Sequence, residues 1–298
     1  MSVQPSSGPV RVDVPEEHEA FYTELIARNR GLIDEAAQRR LRTTRFVVAG
    51  CGSTGGACVM PLVRSGAERF VLLDPGAYEL NNLNRQEATL AELGMNKASA
   101  TARRMLAVNP HASVEVHEEG VVPDGIVSIL REGDFVIDAV DVTSEAGMRA
   151  KVALHVAACD LRLRVLTAYD IATTQYIELF DYRRIRVPLR GKAKEPLSPD
   201  RLLRSLVPPL AVPREMFAEL LARARDPGRP FPQLAMTATM LGALVVPYVS
   251  RVLAGRPVRT RLRVDLHDLI RPAPWRLAER IRRTVELVGV WWSLRGRS

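Results

Sequence analysis

Residues Arg45–Asp74 read RFVVAGCGSTGGACVMPLVRSGAERFVLLD, and this stretch decides the fold. Phe46-Val47-Val48-Ala49 is an apolar run short enough for a buried strand. Gly50, Gly52 and Gly55 follow in a G-x-G-x-x-G spacing. Thr54–Ser65 then reads as the helix that the turn opens. Phe70–Leu73 reads as a second buried strand, and it ends on Asp74. Strand, glycine turn, helix, strand and acid in that order form the nucleotide-binding βαβ fingerprint. Gly50 permits the tight turn, Gly52 lets backbone approach phosphate, and Gly55 lets the helix pack closely on the sheet. Ser53 and Thr54 open the helix, whose free N–H groups favour anionic oxygens. Asp74 stands where a ribose hydroxyl would sit. A glycine-rich turn with no ligand is the alternative, and the flanking strands and acid weigh against it.

The 298 residues as a whole suit a soluble globular protein: 47% are hydrophobic and 26% charged. The net charge of +8 comes from scattered arginines rather than one block. It favours anionic partners such as nucleotides, although most arginines read as solvated helix faces. Cys51, Cys58 and Cys159 are the three cysteines, and none forms a C-x-x-C pair. A four-cysteine zinc site is therefore excluded within the chain, and a reducing, cytoplasmic compartment is expected. Residues 1–17 contain no apolar core suited to a signal peptide. Gln233–Ser250 is uncharged, but its Gln, Thr, Gly, Pro and Ser residues favour a buried helix over a membrane span.

Strands alternate with helices through residue 182. Lys97 begins a helix that stops at Asn109-Pro110, and Ser113–His117 is a strand candidate. Phe135–Ala139 is a buried strand that carries Asp138, with Asp141 two residues into the following loop. Glu145–Cys159 reads as a helix; Arg164–Ala168 and Tyr176–Asp181 read as strands. The expected fold class is α/β: a Rossmann-like, mostly parallel sheet with helices on both faces. We expect one domain over 1–298. It divides into a helical arm (1–44), a core (45–182), a crossing loop (183–232) whose basic stretch 183–201, with Pro188, Pro196 and Pro199, reads as mobile, and C-terminal helices with an edge strand (233–298). Within the last two parts, Pro213–Arg225 reads as an amphipathic helix and Arg261–Leu266 as the edge strand. The Trp291-Trp292 pair suggests packing.

Polar clusters gather at, or within reach of, the C-terminal strand ends, where open parallel sheets bind ligands. They are the glycine turn, Asp74, the loop with Asn82, Arg85 and Gln86, Lys97, and Asp141. Arg85 and Lys97 suit triphosphate oxygens. Asp141 suits Mg²⁺, which takes one or two carboxylates beside phosphate oxygens. No G-x-x-x-x-G-K-[ST] is present, so the chain is no P-loop enzyme. Asp170 and His155 have no partner at a recognisable spacing and read as structural. His267, between Asp265 and Asp268, reads as part of a solvated turn rather than a metal site. The basic crossing segment lacks the interleaved aromatics of a nucleic-acid surface.

GCGSTGG, VLLD, NNLNRQ, GMNKA, AVNP and VIDAVD occur in one order and spacing over residues 28–180. In this the chain resembles the ThiF/MoeB/HesA family, adenylyltransferases similar to the ubiquitin-activating enzymes. The most specific piece is Asn82–Gln86, NLNRQ. The resemblance implies that Asp74 takes the ribose and that Asn82, Arg85 and Lys97 meet the phosphates. Gln86 would steady the loop, and Asp141 would handle Mg²⁺. It implies that Arg30 reaches the phosphates of the partner subunit, which requires a homodimer. The implied reaction is adenylation of a carboxylate by ATP. The acid would be a small molecule, a peptide, or the C-terminus of a ubiquitin-like carrier.

Departures from the family pattern narrow this expectation. Pro75-Gly76 replace a second acid after Asp74, zinc cysteine pairs are missing, and 183–232 contains no cysteine. A thioester step is therefore not expected. Cys159 on its helix and Cys51 in the turn read as packed residues. Two alternatives stay open from the residues: an NAD(P)-dependent oxidoreductase using the same fingerprint, and a non-catalytic dimeric scaffold. The asparagine-rich loop and the lack of an evident His/Lys pair weigh against the first.

Overall fold

Five parallel strands form the body of the sheet because a helix between each one and the next returns the chain over a face. They are β1 (Arg45–Ala49), β2 (Arg69–Leu73), β3 (Ser113–His117), β4 (Phe135–Asp138) and β5 (Arg164–Ile171). Two more strands, β6 (Thr174–Asp181) and β7 (Arg261–Asp265), complete the order β3-β2-β1-β4-β5-β6-β7. In this computed structural model the described residues are 14–194, 197–226, 228–229 and 231–295, with side chains to Val290. Expectations for residues 1–13, for Pro196 and for the Trp291-Trp292 side chains fall outside that set.

The helices are α1 (His18–Leu25), α2 (Glu35–Thr43), α3 (Ser53–Arg64), α4 (Lys97–Val108), α5 (Ile126–Ile129) and α6 (Glu145–Asp160). After the sixth strand come α7 (Pro199–Leu206), α8 (Phe217–Arg225), α9 (Ala235–Leu253), α10 (Leu266–Ile270) and α11 (Ala273–Arg295). The two-residue period of a strand sends Phe46 and Val48 to one face and Val47 and Ala49 to the other. The first pair packs with Leu62 of α3, Met105 of α4 and Leu241 of α9. The second packs with Leu154 of α6 and Leu202 of α7. β1 lies between β2 and β4, so the strand order reverses beside it. That reversal puts the topological switch point of the fold, where open α/β sheets bind ligands, at the carboxyl ends of β1 and β4.

β6 runs antiparallel to β5 because Ala172 and Thr173 alone join them, too short a connection for a crossover. Ala172 takes a left-handed φ of 50° in that turn. β7 pairs antiparallel with β6 and forms the expected edge strand. α9, the one helix among the described residues long and apolar enough to cross a membrane, packs on α2 and α3, with half of its apolar window buried.

The reading of residues 183–201 as a mobile loop is corrected, while the amphipathic helix read at Pro213–Arg225 is present as α8. α7 begins within the basic stretch and is capped by the Ser198 hydroxyl, with Leu202 and Leu206 fully buried. Leu189 is also buried, at φ 49°. The fold fixes this segment through Glu178 of β6, which is itself 1% exposed. Glu178 accepts from Arg190 at 3.1 Å, Lys192 at 3.2 Å and Arg261 of β7 at 3.0 Å. Arg190 and Lys192 of the basic run thus neutralise a buried acid, a long-range demand that local periodicity does not display.

Candidate active site

The glycine turn leaves β1 and enters α3 one residue earlier than read, at Ser53. Gly50 has φ +94° and donates its N–H to the Leu73 carbonyl at 2.7 Å. A Cβ on Gly55 would lie 1.8 Å from the Gly50 carbonyl oxygen, so the turn and helix pack at a distance only glycine allows. No side chain caps the first turn of α3. Its N–H groups are therefore available to an anion.

Asp74 closes this turn from the neighbouring strand. Its Oδ2 accepts the Cys51 N–H at 2.6 Å, and its Oδ1 accepts the Gly76 N–H at 2.7 Å. The acid expected to meet ribose is buried and holds the backbone on both sides of the β1/β2 ends.

The segment after Gly76 folds back through an Ala77–Asn96 bridge and delivers Lys97 to the same edge. Asn96 caps α4 with its side-chain oxygen and donates Nδ2 to the Asp74 carbonyl at 2.8 Å. Lys97 Nζ sits beside Gly76 and lies 5.9 Å from the centre of the Tyr78 ring. Among the described residues no carboxylate pairs with it. Arg85 is half-buried and is held by neutral groups only. Its Nε donates to Gln233 Oε1 at 2.6 Å and its Nη1 to the Asn81 carbonyl and Asn84 Oδ1 at 2.9 and 2.8 Å. Gln86 faces the turn: a Cβ on Gly52 would lie 3.6 Å from its amide nitrogen, and its buried Oε1 has no hydrogen-bond partner. Asn82 is placed differently from the expectation of a phosphate contact. Its buried amide accepts from the Glu79 N–H at 3.1 Å and donates to Asn81 at 2.6 Å, which shapes the loop that carries Arg85.

At the end of β4 the two aspartates separate cleanly. Asp138 is fully buried, and its Oδ2 accepts from Lys151, from His155 Nε2 at 2.9 Å and from Thr167 at 2.8 Å. Burial alone would raise its pKa; Lys151 and His155 outweigh burial and hold it below the carboxylate range. Asp141 is exposed, and its oxygens meet only the N–H and hydroxyl of Thr143, each at 2.9 Å. Of the pair, Asp141 is the one with lone pairs left for a cation.

Two residues that sequence reasoning missed converge here. Asp170, at the end of β5, accepts from Ser53 Oγ at 2.7 Å and from Thr54 Oγ1 at 3.4 Å. The Gln175 amide, oriented to satisfy its neighbours, donates to Asp170 at 2.7 Å. Burial raises the Asp170 pKa, against the pull of these donors and of the Arg85 charge. Gln233 is the second residue. Only the position of Asp170 at a strand end hinted at the first, and no local signal marked Gln233. His155 is structural, as read. The His267 turn is less solvated than read: Asp265 is buried, pairs with Arg263 and caps α10 by accepting the His267 N–H at 2.9 Å.

Arg30 is exposed and follows a single helical turn, Ala27–Asn29. Asn29 donates to the Ser65 carbonyl at 3.3 Å, at the C-terminal end of α3. Asn29, and with it the start of the Arg30 segment, is thus tied to the far end of α3, a 12-residue helix about 18 Å long whose other end carries the glycine turn. Cys51 and Cys58 are buried and Cys159 is half-buried, all three as free thiols. Burial pushes the Cys159 thiol up. Among the described residues no three His, Cys, Asp or Glu side chains cluster to hold a metal.

A topological switch point, an uncapped glycine-turn helix, and two cations without carboxylate partners are the features of the Rossmann-like nucleotide-binding fold class. Comparison with known proteins gives the family. The model of the ThiF family matches residues 26–266, and the chain belongs to that family. An uncharacterized protein of Mycobacterium tuberculosis is 30% identical over 259 residues, covering 83% of this chain and 35% of that protein. The sulfur carrier protein adenylyltransferase of Thermus thermophilus is 31% identical over 127 residues, covering 42% and 46%. The heterocyst HesA protein of Trichormus variabilis is 28% identical over 125 residues, covering 42% and 46%. The chain spans about a third to a half of the length of these relatives.

Solved structures share the fold. PaaA superposes with a TM-score of 0.60 at 19% identity, covering 89% of this chain and 75% of that one. The tRNA N6-threonylcarbamoyladenosine dehydratase TcdA of E. coli, in complex with ATP, gives 0.57 at 21%, covering 82% and 98%. MccB of E. coli with ATP gives 0.56 at 16%, covering 77% and 63%.

Proposed function

We propose that the protein is an ATP-dependent adenylyltransferase that activates a carboxylate. One observation carries this reading. Arg85 and Lys97, the two cations at the glycine-turn edge, are both held without a carboxylate partner, so their charge is available to a triphosphate. The residues also fit the nucleotide in other respects. The first turn of α3 is uncapped, and Gln86 presents a buried, unpaired oxygen beside Gly52. Asp141 would hold Mg²⁺ with phosphate oxygens, and the ion would neutralise phosphate charge.

In the reaction a carboxylate oxygen attacks the α-phosphorus, the bond to the β-phosphate oxygen breaks, and pyrophosphate leaves with that electron pair. The product is an acyl-adenylate. The chain's work is to orient the phosphates and stabilise charge at the α-phosphate, through Arg85, Lys97 and the α3 N–H groups. Asp74 keeps the turn in shape, with the ribose alongside. Arg30 serves the neighbouring site of a homodimer; its attachment, through Asn29, to the end of α3 opposite the glycine turn supports that assignment. The acid is a small molecule, a peptide or a carrier-protein C-terminus. The names of the relatives, a sulfur carrier protein adenylyltransferase among them, support this range. The three thiols are buried or half-buried, in keeping with cytoplasmic chemistry that forms no thioester.

Exchange of labelled pyrophosphate into ATP, across a panel of carboxylic acids and peptide C-termini, tests the proposal. Acid-dependent exchange supports it. ATP binding with no exchange and no AMP from any acid would sink it.

A further inference from the structure

Arg85 is oriented by a residue 148 positions away. Gln233 stands at the end of the crossing segment, two residues before α9. Its Oε1 accepts Arg85 Nε at 2.6 Å, and its carbonyl accepts Asn84 Nδ2 at 3.3 Å. Both sides of this latch belong to segments bearing on the site: the loop that carries Arg85 and the chain that returns from α8. The guanidinium is half-buried, and burial lowers its pKa, yet every hydrogen-bond acceptor around it is an amide or carbonyl oxygen. A carboxylate at position 233 would make a stronger bond and neutralise the charge. An amide oxygen aims the guanidinium without spending its charge.

We propose that Gln233 is a positioning residue for Arg85: it fixes the guanidinium toward the phosphates through a neutral acceptor, and so couples the crossing segment to nucleotide affinity. This rests on the reading of Arg85 as a phosphate ligand. The chemistry explains the choice of side chain. Glutamine is isosteric with glutamate and reaches Nε with an oxygen, whereas a glutamate would compete with the triphosphate for the same cation.

The test is titration of the full-length protein with Mg²⁺-ATP, in wild type, Gln233→Ala, Gln233→Glu, Arg85→Ala and the Gln233→Glu/Arg85→Ala double variant. Melting temperatures are recorded without nucleotide. Gln233→Ala is expected to weaken ATP binding about tenfold, the worth of one hydrogen bond to a charged group. Gln233→Glu is expected to weaken it at least as much while raising or keeping the melting temperature. A merely structural glutamine would not give that opposition, since the variant that best preserves the latch would bind best.

In the Arg85→Ala background the Gln233→Glu effect should shrink to less than about twofold. Wild-type affinity in both Gln233 variants overturns the latch, as does an equal Gln233→Glu loss with and without Arg85. If Arg85→Ala itself leaves ATP affinity unchanged, the reading of the site fails instead, and the latch with it.

Discussion

The Asp74 carboxylate accepts the backbone N–H of Cys51 at 2.6 Å, tying the end of β2 to the turn that follows β1. A ribose ligand would be indifferent to folding without nucleotide; a turn clamp is not. Asp74→Asn sets an amide N–H against one of two backbone N–H groups, Cys51 or Gly76. The loss of one buried bond should cost about 1–3 kcal/mol. The expected result is a lower melting temperature in the absence of ATP as well as weaker ATP binding. A variant that melts like wild type would reduce Asp74 to a ligand contact alone.

Arg85 and Lys97 make the opposite prediction. Neither pairs with a carboxylate, so replacing either by alanine breaks no ion pair in the fold. The melting temperature should move by less than about 2 °C. Pyrophosphate exchange should fall on the order of 10²–10³-fold, the usual cost of removing one transition-state donor. Full exchange in both variants would remove them from the mechanism.

The glycine turn, β1, β2 and β4 were legible because they are set by local period and by spacing within a few residues; which of Asp138 and Asp141 stays open to a cation was not, because the buried partners of Asp138 include Thr167, 29 positions away. Residues whose partners lie far along the chain were not. Ser53 and Asp170 are 117 positions apart, and Arg85 and Gln233 are 148 apart. Asn82 sits in a legible motif, but its role shifted. Its side chain is consumed by a turn of its own loop, which no spacing rule separates from a phosphate contact. Of the two helices of the crossing segment, α8 was legible from its period, whereas α7 was hidden at the end of a proline- and arginine-rich run whose Arg190 and Lys192 find their partner only in the buried Glu178.

The Ser53–Asp170 contact carries its own expectation. With Ser53 and Thr54 hydroxyls turned to Asp170, the α3 backbone N–H groups remain the donors at the turn. Asp170→Ala and Ser53→Ala should each weaken ATP binding several-fold, and the double variant should cost little more than either single one. Strictly additive losses, read by titration calorimetry, would show that the two side chains act independently.

Acid sensitivity should trace to the buried cluster beneath β4. Leu189 N–H donates to Tyr182 Oη at 2.9 Å, which lies 2.6 Å from His155 Nδ1, and His155 Nε2 lies 2.9 Å from Asp138. A neutral imidazole satisfies that chain, with the tyrosine hydroxyl donating to Nδ1. Burial depresses the His155 pKa more than Asp138 raises it. The unfolded chain therefore takes up a proton below about pH 6.5 that the folded chain refuses, and stability falls as pH drops from there. Asp138, depressed in the fold, adds stability above about pH 4 that is lost on further acidification. His117, raised by Glu115 and Glu119, contributes with the opposite sign, losing stability as pH rises. The difference between wild type and His155→Gln isolates the first effect. Denaturant unfolding should show a smaller decline between pH 6.5 and 4.5 in the variant, and equal slopes would refute the assignment.

Arg30 gives the sharpest test of a shared site. It is exposed and without a hydrogen-bond or ion-pair partner among the described residues, at the end of α3 remote from its own glycine turn. Arg30→Ala should leave the melting temperature unchanged and still lose exchange activity. Lys97→Ala loses activity from within its own subunit. If Arg30 works in the partner's site, a heterodimer of the two variants has one site with both lesions and one with neither. Mixing equal amounts under subunit exchange should then restore about a quarter of wild-type activity, because half the dimers are mixed and half their sites intact. If both residues act in one subunit, every site in the mixture keeps a lesion and activity stays at the level of the single variants.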